Sequence, residues 1–462
     1  MERRILNVEG ITPVVRGYPA AVISNGIVFV SGVRGGRCDG VLRFDDLPDA
    51  VRRIGNGFSL ADGLEGEVAA DAWAVHDNLE RVLKAAGSGD PQVLRQHIWQ
   101  RDKRFFPIYE RIRMERQKIP APSSGLGVAE VVGRFSRWIG MDALAVVPGV
   151  NPQLPERSTV RTFDNIELPA ASFYSQAVRC GPLVFMAGHI PVETAKPGKP
   201  VIRGFDDIPE EGRFLVTGRS HPDSRQGPIA AQAWYCYDNI RATLAAQSMT
   251  MRDMVHVNIF LQDIRDFGTF HRVHRHFFPE GGPVLAVTGF NEVGHRSMLI
   301  EIEPTALEPG SAFATRSVDW PVKAPFAGPA AIKSGPLWFF AGMLGLDANG
   351  ALVRSAQDLD DRVGRRVVED LARFENHSGL AAQCWQAWSL LCAVCAKAGL
   401  APTKIVKTTL YVRNVADIWI CEEIRESFFG HAPQHAVEFV AVQGPGPVPG
   451  AHIQIEAMAS ED

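Results

Sequence analysis

One pattern occurs three times along this chain. Tyr18-Pro-Ala-Ala-Val-Ile-Ser-Asn-Gly-Ile-Val-Phe-Val-Ser31-Gly32, Tyr174-Ser-Gln-Ala-Val-Arg-Cys-Gly-Pro-Leu-Val-Phe-Met-Ala187-Gly188 and Gly328-Pro-Ala-Ala-Ile-Lys-Ser-Gly-Pro-Leu-Trp-Phe-Phe-Ala341-Gly342 align without a gap. Their starts, at 18, 174 and 328, lie close to one third of the 462 residues apart. Such a period makes each segment one folding unit, and a face that one unit cannot cover must be covered by its neighbours. Each copy reads as a strand, a tight turn at Gly and a second strand.

Further signatures follow in the same order. Ala70-Asp71-Ala72-Trp73, Ala231-Gln232-Ala233-Trp234 and Ala382-Gln383-Cys384-Trp385 open helices; in the first, Val75, Leu79, Val82, Leu83 and Ala86 make one apolar face. Gly87 and Gly399 stand where a helix C-cap is expected, and Ser248 holds that place in the second copy. A strand and a helix come next: 93–102 then Phe105 onward, 254–263 then 267–278, and 405–414 then 418–429. Final strands are read at 143–146, 299–303 and 452–456. The order per unit is β-β-α-β-α-β-β, an α+β unit with two helices on one face of a sheet. Pro/Gly-rich breaks at 147–156 and 307–311 place the units at 1–154, 155–312 and 313–462.

Composition narrows the function. Apolar residues make up 46% and charged residues 22%, with a net charge of -4, so a globally basic surface for nucleic acid is absent. No apolar run reaches the length of a membrane helix, and Met1 to Ile5 lead into a mixed polar stretch rather than a signal peptide; the expectation is a cytoplasmic chain without a membrane partner. Seven scattered cysteines, including Cys38, read as reduced structural thiols. Cys392-Ala-Val-Cys395 reads as part of a core helix rather than a redox or metal motif, and nothing demands a metal or organic cofactor.

Val406-Lys-Thr-Thr-Leu-Tyr-Val412, Ile455-Glu-Ala-Met-Ala459, Ala187-Gly188-His189-Ile190-Pro191-Val192 and Ile300-Glu-Ile-Glu303 resemble motifs of the RidA family, also called YjgF or endoribonuclease L-PSP. The resemblance covers nearly the whole chain, in triplicate. It implies units that elsewhere assemble as homotrimers with ligand sites in the clefts between subunits. Three fused units then build an intramolecular pseudo-trimer, with further self-association of whole chains left open.

RidA-like deaminases hydrolyse imines and enamines to ketones and ammonia. The resemblance assigns the water-positioning Glu to Glu301, with Gly140 and Gln454 in the other units, and the cleft Tyr to Tyr18 and Tyr174, with Gly328 in the third. It places His189 after the strand-end Gly, and His271 where the family has a helix Asn, with Glu110 and Glu422 alongside. The family's carboxylate-binding Arg falls on Gln434, Ser123 and approximately Pro283, so no unit keeps it. Arg34, just past Ser31-Gly32, is an alternative cation. His271, His274 and His276 are read as a polar helix face rather than a metal site.

The expected catalytic residue is therefore Glu301, with Tyr18, Tyr174, His189, His271, Gln434 and Arg34 binding substrate. The expected function is a small-molecule hydrolase acting on an imine, enamine or related carbonyl compound. Two other readings stand beside it: a non-catalytic small-molecule binder or scaffold, and diverged chemistry on a cyclic acid, as in chorismatases.

Overall fold

The computed structural model describes residues 3–461 apart from 12, 16, 37–39, 53–62, 134–137, 161–172, 194–199, 216–225, 296 and 376–378; Cys38 lies outside the described residues. The first unit comprises β1 (Arg4–Leu6), β2 (Ala21–Ser24), β3 (Ile27–Val30), β4 (Val33–Arg34), α1 (Asp49–Arg52), α2 (Gly63–Ala86), β5 (Val93–Gln100), α3 (Phe106–Arg116), β6 (Ser123–Gly127) and β7 (Ile139–Val146). The second has β8 (Arg157–Val160), β9 (Ala177–Cys180), β10 (Leu183–Met186), α4 (Gln226–Ala245), β11 (Met254–Leu261), α5 (Phe267–Phe277), β12 (Val284–Gly289) and β13 (Ile300–Leu307). The third has β14 (Thr315–Val318), β15 (Ala331–Ser334), β16 (Leu337–Phe340), α6 (Arg362–Ala372), α7 (Leu380–Ala398), β17 (Ile405–Val412), α8 (Ile418–Phe429), β18 (Ala436–Ala441) and β19 (Ile453–Ser460).

Each unit forms one sheet, and the strand order is the same in all three: β1-β2-β3-β7-β5-β6, β8-β9-β10-β13-β11-β12 and β14-β15-β16-β19-β17-β18. The β-β-α-β-α-β-β order holds, with one further short strand leading each sheet, the two-residue β4 in the first unit, and the extra helices α1 and α6 ahead of the long helices of the first and third units. The long helices start ahead of their Ala-x-x-Trp signatures, since α2 already begins at Gly63 and α4 at Gln226. Their ends behave as the residues require. Gly87 and Gly399 take left-handed φ values of 83° and 68°, and Ser248 reaches 58° in the same place.

The three sheets close into a ring through equivalent bonds at every seam. Gly188 N–H donates to Ser123 O (3.3 Å), Gly342 N–H to Leu285 O (2.9 Å) and Gly32 N–H to Val437 O (2.8 Å). A second set of isolated bridges joins Gly127 to Glu292, Gly289 to Gly444 and Ala441 to Glu130. Unit 1 thus meets unit 2, unit 2 meets unit 3, and unit 3 returns to unit 1. Inside the ring, Trp99, Phe260 and Tyr411, one from each unit, pack in a shared cluster with Phe290.

Charges also meet at the centre. β5, β11 and β17 carry the same register irregularity, before Arg95, His256 and Lys407. Each of these residues pairs with a carboxylate of the next unit: Arg95 with Glu303 (3.3 Å), His256 with Glu456 (3.4 Å) and Lys407 with Asp142 (2.7 Å). His97 bridges Asp142 (3.0 Å) and Glu303 (3.1 Å). Burial alone would lower the basicity of His97, but Glu303 and Asp142 outweigh it and raise its pKa to about 10. The buried Glu303 and Asp142 carboxylates are therefore matched by Arg95, His97 and Lys407, which is the condition for keeping charge in a low-dielectric core.

Candidate active site

The ring contains three inter-unit clefts, and the residues singled out above are distributed among them. Glu301 and Tyr174, from unit 2, face α3 and β6 of unit 1. Together with Ile98, Lys103, Phe106, Glu110, Arg113, Ser123 and Gly294 they enclose a cavity of about 50 Å³. A larger chamber of about 530 Å³ adjoins it and shares Lys103, Phe106, Gly294 and His295 with it.

Glu301 is 3% exposed, on the central strand β13, between β10 and β11. Its Oε2 accepts from Gly294 N–H at 3.1 Å. Burial pushes its carboxyl up to about 7; Glu303 adds to this, while Lys103 and the Gly294 N–H pull the other way. Such a group exchanges a proton near neutrality, as acid–base catalysis requires. Burial also raises the Tyr174 phenol, with Glu301 contributing, so the hydroxyl stays protonated.

Two cations line the cavity. Arg113 is largely committed: Nη1 lies 3.4 Å from Glu110, Nε 3.2 Å from Gln117, and Nη2 3.5 Å from the Ala121 carbonyl. Lys103 donates to the Gly125 carbonyl, and its ammonium sits 5.5 Å from the centre of the Phe106 ring. Sequence reasoning missed Lys103. The signal was available, because the equivalent residues Ile264 and Val415 are apolar and open the same short turn. Gly125 was missed too; Val287 and Phe439 fill that register position in the other units.

Unit 3 meets unit 1 differently. Arg34 forms a buried pair with Glu438 at 2.6 and 3.1 Å, rather than presenting an open cation. Trp99 Nε1–H also donates to Glu438 (3.1 Å). The Arg34 guanidinium lies about 2.9 Å from the place a Cβ on Gly140 would take, so it occupies the space a longer residue there would need. In this cleft Tyr18 donates to Glu422 at 2.7 Å. Gln434 is exposed on the approach to β18, with its amide 3.4 Å from the Ala432 carbonyl.

Between units 2 and 3, His271 accepts from Ala327 N–H (3.2 Å), and Gln454 donates to Thr288 (2.9 Å). Gly328, at the Tyr position, has the Pro283 carbonyl 2.7 Å from where its Cβ would be. His189 belongs to none of these groups. Its ring meets the Ala187 carbonyl (2.9 Å) and Thr243 of α4 (3.1 Å), on the helix side of the sheet, and burial lowers its pKa to about 4. His274 is buried against the Tyr237 hydroxyl (2.7 Å). Among the described residues no group of three His, Cys, Asp or Glu side chains is placed to hold a metal ion, and no helix is long and apolar enough to cross a membrane.

Strand register also corrects one alignment. Gln96, Val257 and Thr408 pair in parallel with Ser123, Leu285 and Val437. Counting back from these, the counterparts of Gln434 are Pro120 and Gly282, not Ser123 and Pro283. The Ala-Pro dipeptides at 121 and 432, which align in the sequence, are offset in the strands. No arginine occupies the corrected positions either.

The chain is similar to known proteins over lengths of about one unit. The family model described as Endoribonuclease L-PSP matches residues 211–308, within the second unit. A solved structure from Klebsiella pneumoniae that bears an endoribonuclease name is 32% identical, covering 29% of this chain and 100% of that one, with a TM-score of 0.27. The chain belongs to the RidA, or endoribonuclease L-PSP, family. A RutC family protein of Pyrococcus horikoshii is 27% identical over 133 residues, 29% of this chain and 85% of its own length. The 2-iminobutanoate/2-iminopropanoate deaminase of Escherichia coli is 28% identical over 115 residues, 23% of this chain and 87% of its own. Each of these RidA relatives spans about one unit of the present chain.

Proposed function

We propose that this RidA-family chain is a small-molecule hydrolase that converts an imine or enamine to the corresponding carbonyl compound and ammonia, in the cleft between units 1 and 2. The units are taken as 1–154, 155–312 and 313–462, a division supported by the three sheets. The observation that carries the reading is the Glu301 carboxyl, held near neutral pKa beside Lys103 at the wall of an inter-unit cavity. In its ionised form Glu301 takes a proton from water as the oxygen attacks the imine carbon. It returns that proton to the nitrogen to give the amino alcohol, then takes the adduct's hydroxyl proton and passes it to the same nitrogen, so that the C–N bond breaks and ammonia leaves as the carbonyl forms. Tyr174 supplies a neutral hydroxyl at the same wall.

The test uses imines generated in place by an amino-acid oxidase, with semicarbazide trapping whatever escapes hydrolysis. Wild-type protein should suppress trapping, and Glu301→Gln should lose about 10²–10⁴-fold in rate. Unchanged turnover in the variant would remove Glu301 from the mechanism. The absence of arginine at 434, 120 and 282 supports a second reading, a binder without turnover. Ligand retention with no rate enhancement on any imine would favour it.

A further inference from the structure

We infer that Lys103 receives the carboxylate of an α-imino acid in the unit 1–unit 2 cleft, and that the substrate's side chain extends into the adjoining chamber. The substrate class is then imines of amino acids whose side chains are longer than three carbons and partly polar. This rests on the reading of the cleft given above, and it answers where the cation has gone now that positions 434, 120 and 282 lack one.

Three observations carry it. The residue that opens the short turn after β5, β11 or β17 is apolar in the other two units: Ile264 packs against Gly289 of its own unit and against Gly444 across the seam, and Val415 holds the third place. In unit 1 it is lysine, and it borders both chambers. Gly125 lies beside it: a Cβ there would be in ordinary contact, 3.9 Å from both the Lys103 ammonium and the Phe106 ring, so a side chain longer than alanine would crowd the ammonium. An ammonium has three donors, and the Gly125 carbonyl takes one. Arg113 is the poorer candidate, because Glu110, Gln117 and the Ala121 carbonyl already surround it.

Size and lining set the side chain. The inner cavity of about 50 Å³ suits the reacting atoms alone. The outer chamber of about 530 Å³ falls within the range of small-molecule pockets. Its wall mixes Val293 and Met298 with Gln262, Glu292, His295 and Ser297, which fits a chain with a polar end.

Binding tests this independently of turnover. Calorimetry would compare 2-oxo acids of three to seven carbons with the methyl ketones that lack their carboxylate. Long acids should bind wild-type protein more tightly than short acids and than the ketones. Lys103→Met should weaken the long acids about tenfold or more, the cost of losing a charge-assisted hydrogen bond, and Lys103→Arg should recover most of that loss. Gln262→Trp, which fills the chamber, should weaken long acids and spare short ones. Unchanged acid affinity in Lys103→Met, equal affinity for short and long acids, or no acid binding to wild type would each overturn the inference. The two readings separate cleanly. Acid affinities that follow Lys103 without imine turnover remove only the hydrolase, and turnover with acid affinities indifferent to Lys103 removes only this proposal.

Discussion

The cleft between units 1 and 2 and the cleft between units 3 and 1 are built from the same positions and end in opposite states. In the first, the strand carboxylate is Glu301, which faces a cavity and sits near neutral pKa. In the second, that position is Gly140, and the carboxylate stands across the seam as Glu438, clamped by Arg34. The counterpart of Glu438 in the first cleft is Ser124. Moving one carboxylate across a seam and supplying an arginine turns an open recess into a strut. A charge that is matched and packed holds units together; the same kind of charge left facing a cavity becomes available for proton transfer.

Breaking the strut should have the largest effect on stability. Arg34→Met leaves Glu438 buried without its partner and should cost about 3–5 kcal/mol in denaturant unfolding. A loss below about 1 kcal/mol would mean that the second cleft is not held by this pair. Glu301 should behave in the opposite sense. Its folded pKa of about 7 exceeds the ordinary 4.5, so the native state binds the proton more tightly. The stability this gives is fully present below pH 4.5 and is lost as pH rises through 7, a change on the order of 3 kcal/mol. Glu301→Gln should therefore stabilise the chain above pH 8 while changing little at pH 5. A variant destabilised at both pH values would make Glu301 a second strut. The mildest change is Gly125→Val, which copies unit 2 and removes room beside Lys103. Unfolding free energy should shift by no more than about 1 kcal/mol, while substrate turnover falls at least tenfold. Full activity in this variant would place the reaction elsewhere in the ring.

Much of the architecture was legible in the sequence, because a repeated motif order constrains all three units at once. The family resemblance, rather than the repeat, pointed to Glu301 and Tyr174, and both line one inter-unit cavity; the roles it implies for them are the proposal above. The leading strands β1, β8 and β14 were not, since three or four residues carry too little alternation to stand out. Nor could the sequence sort residues among clefts: Tyr18 meets Glu422 across the seam that joins the two ends of the chain. Arg34 reads in the sequence as an available cation, but the missing side chains at Gly133 and Gly140 make room to bury it. Lys103 stands out only by contrast with its sister units, where Ile264 and Val415 carry no charge at the same place.

The last seam has a consequence for how the protein is made. Arg34 is synthesised hundreds of residues before Glu438, and Asn25 before Ser460, to which it donates at 2.9 Å. Translation is slow compared with local folding, so the first unit emerges and folds long before its final neighbour exists. Through that interval a guanidinium destined for burial faces solvent, beside an edge prepared for a sheet not yet translated. A ribosome-stalled chain ending before residue 430 should therefore expose the first unit to proteolysis on the side that the finished ring seals.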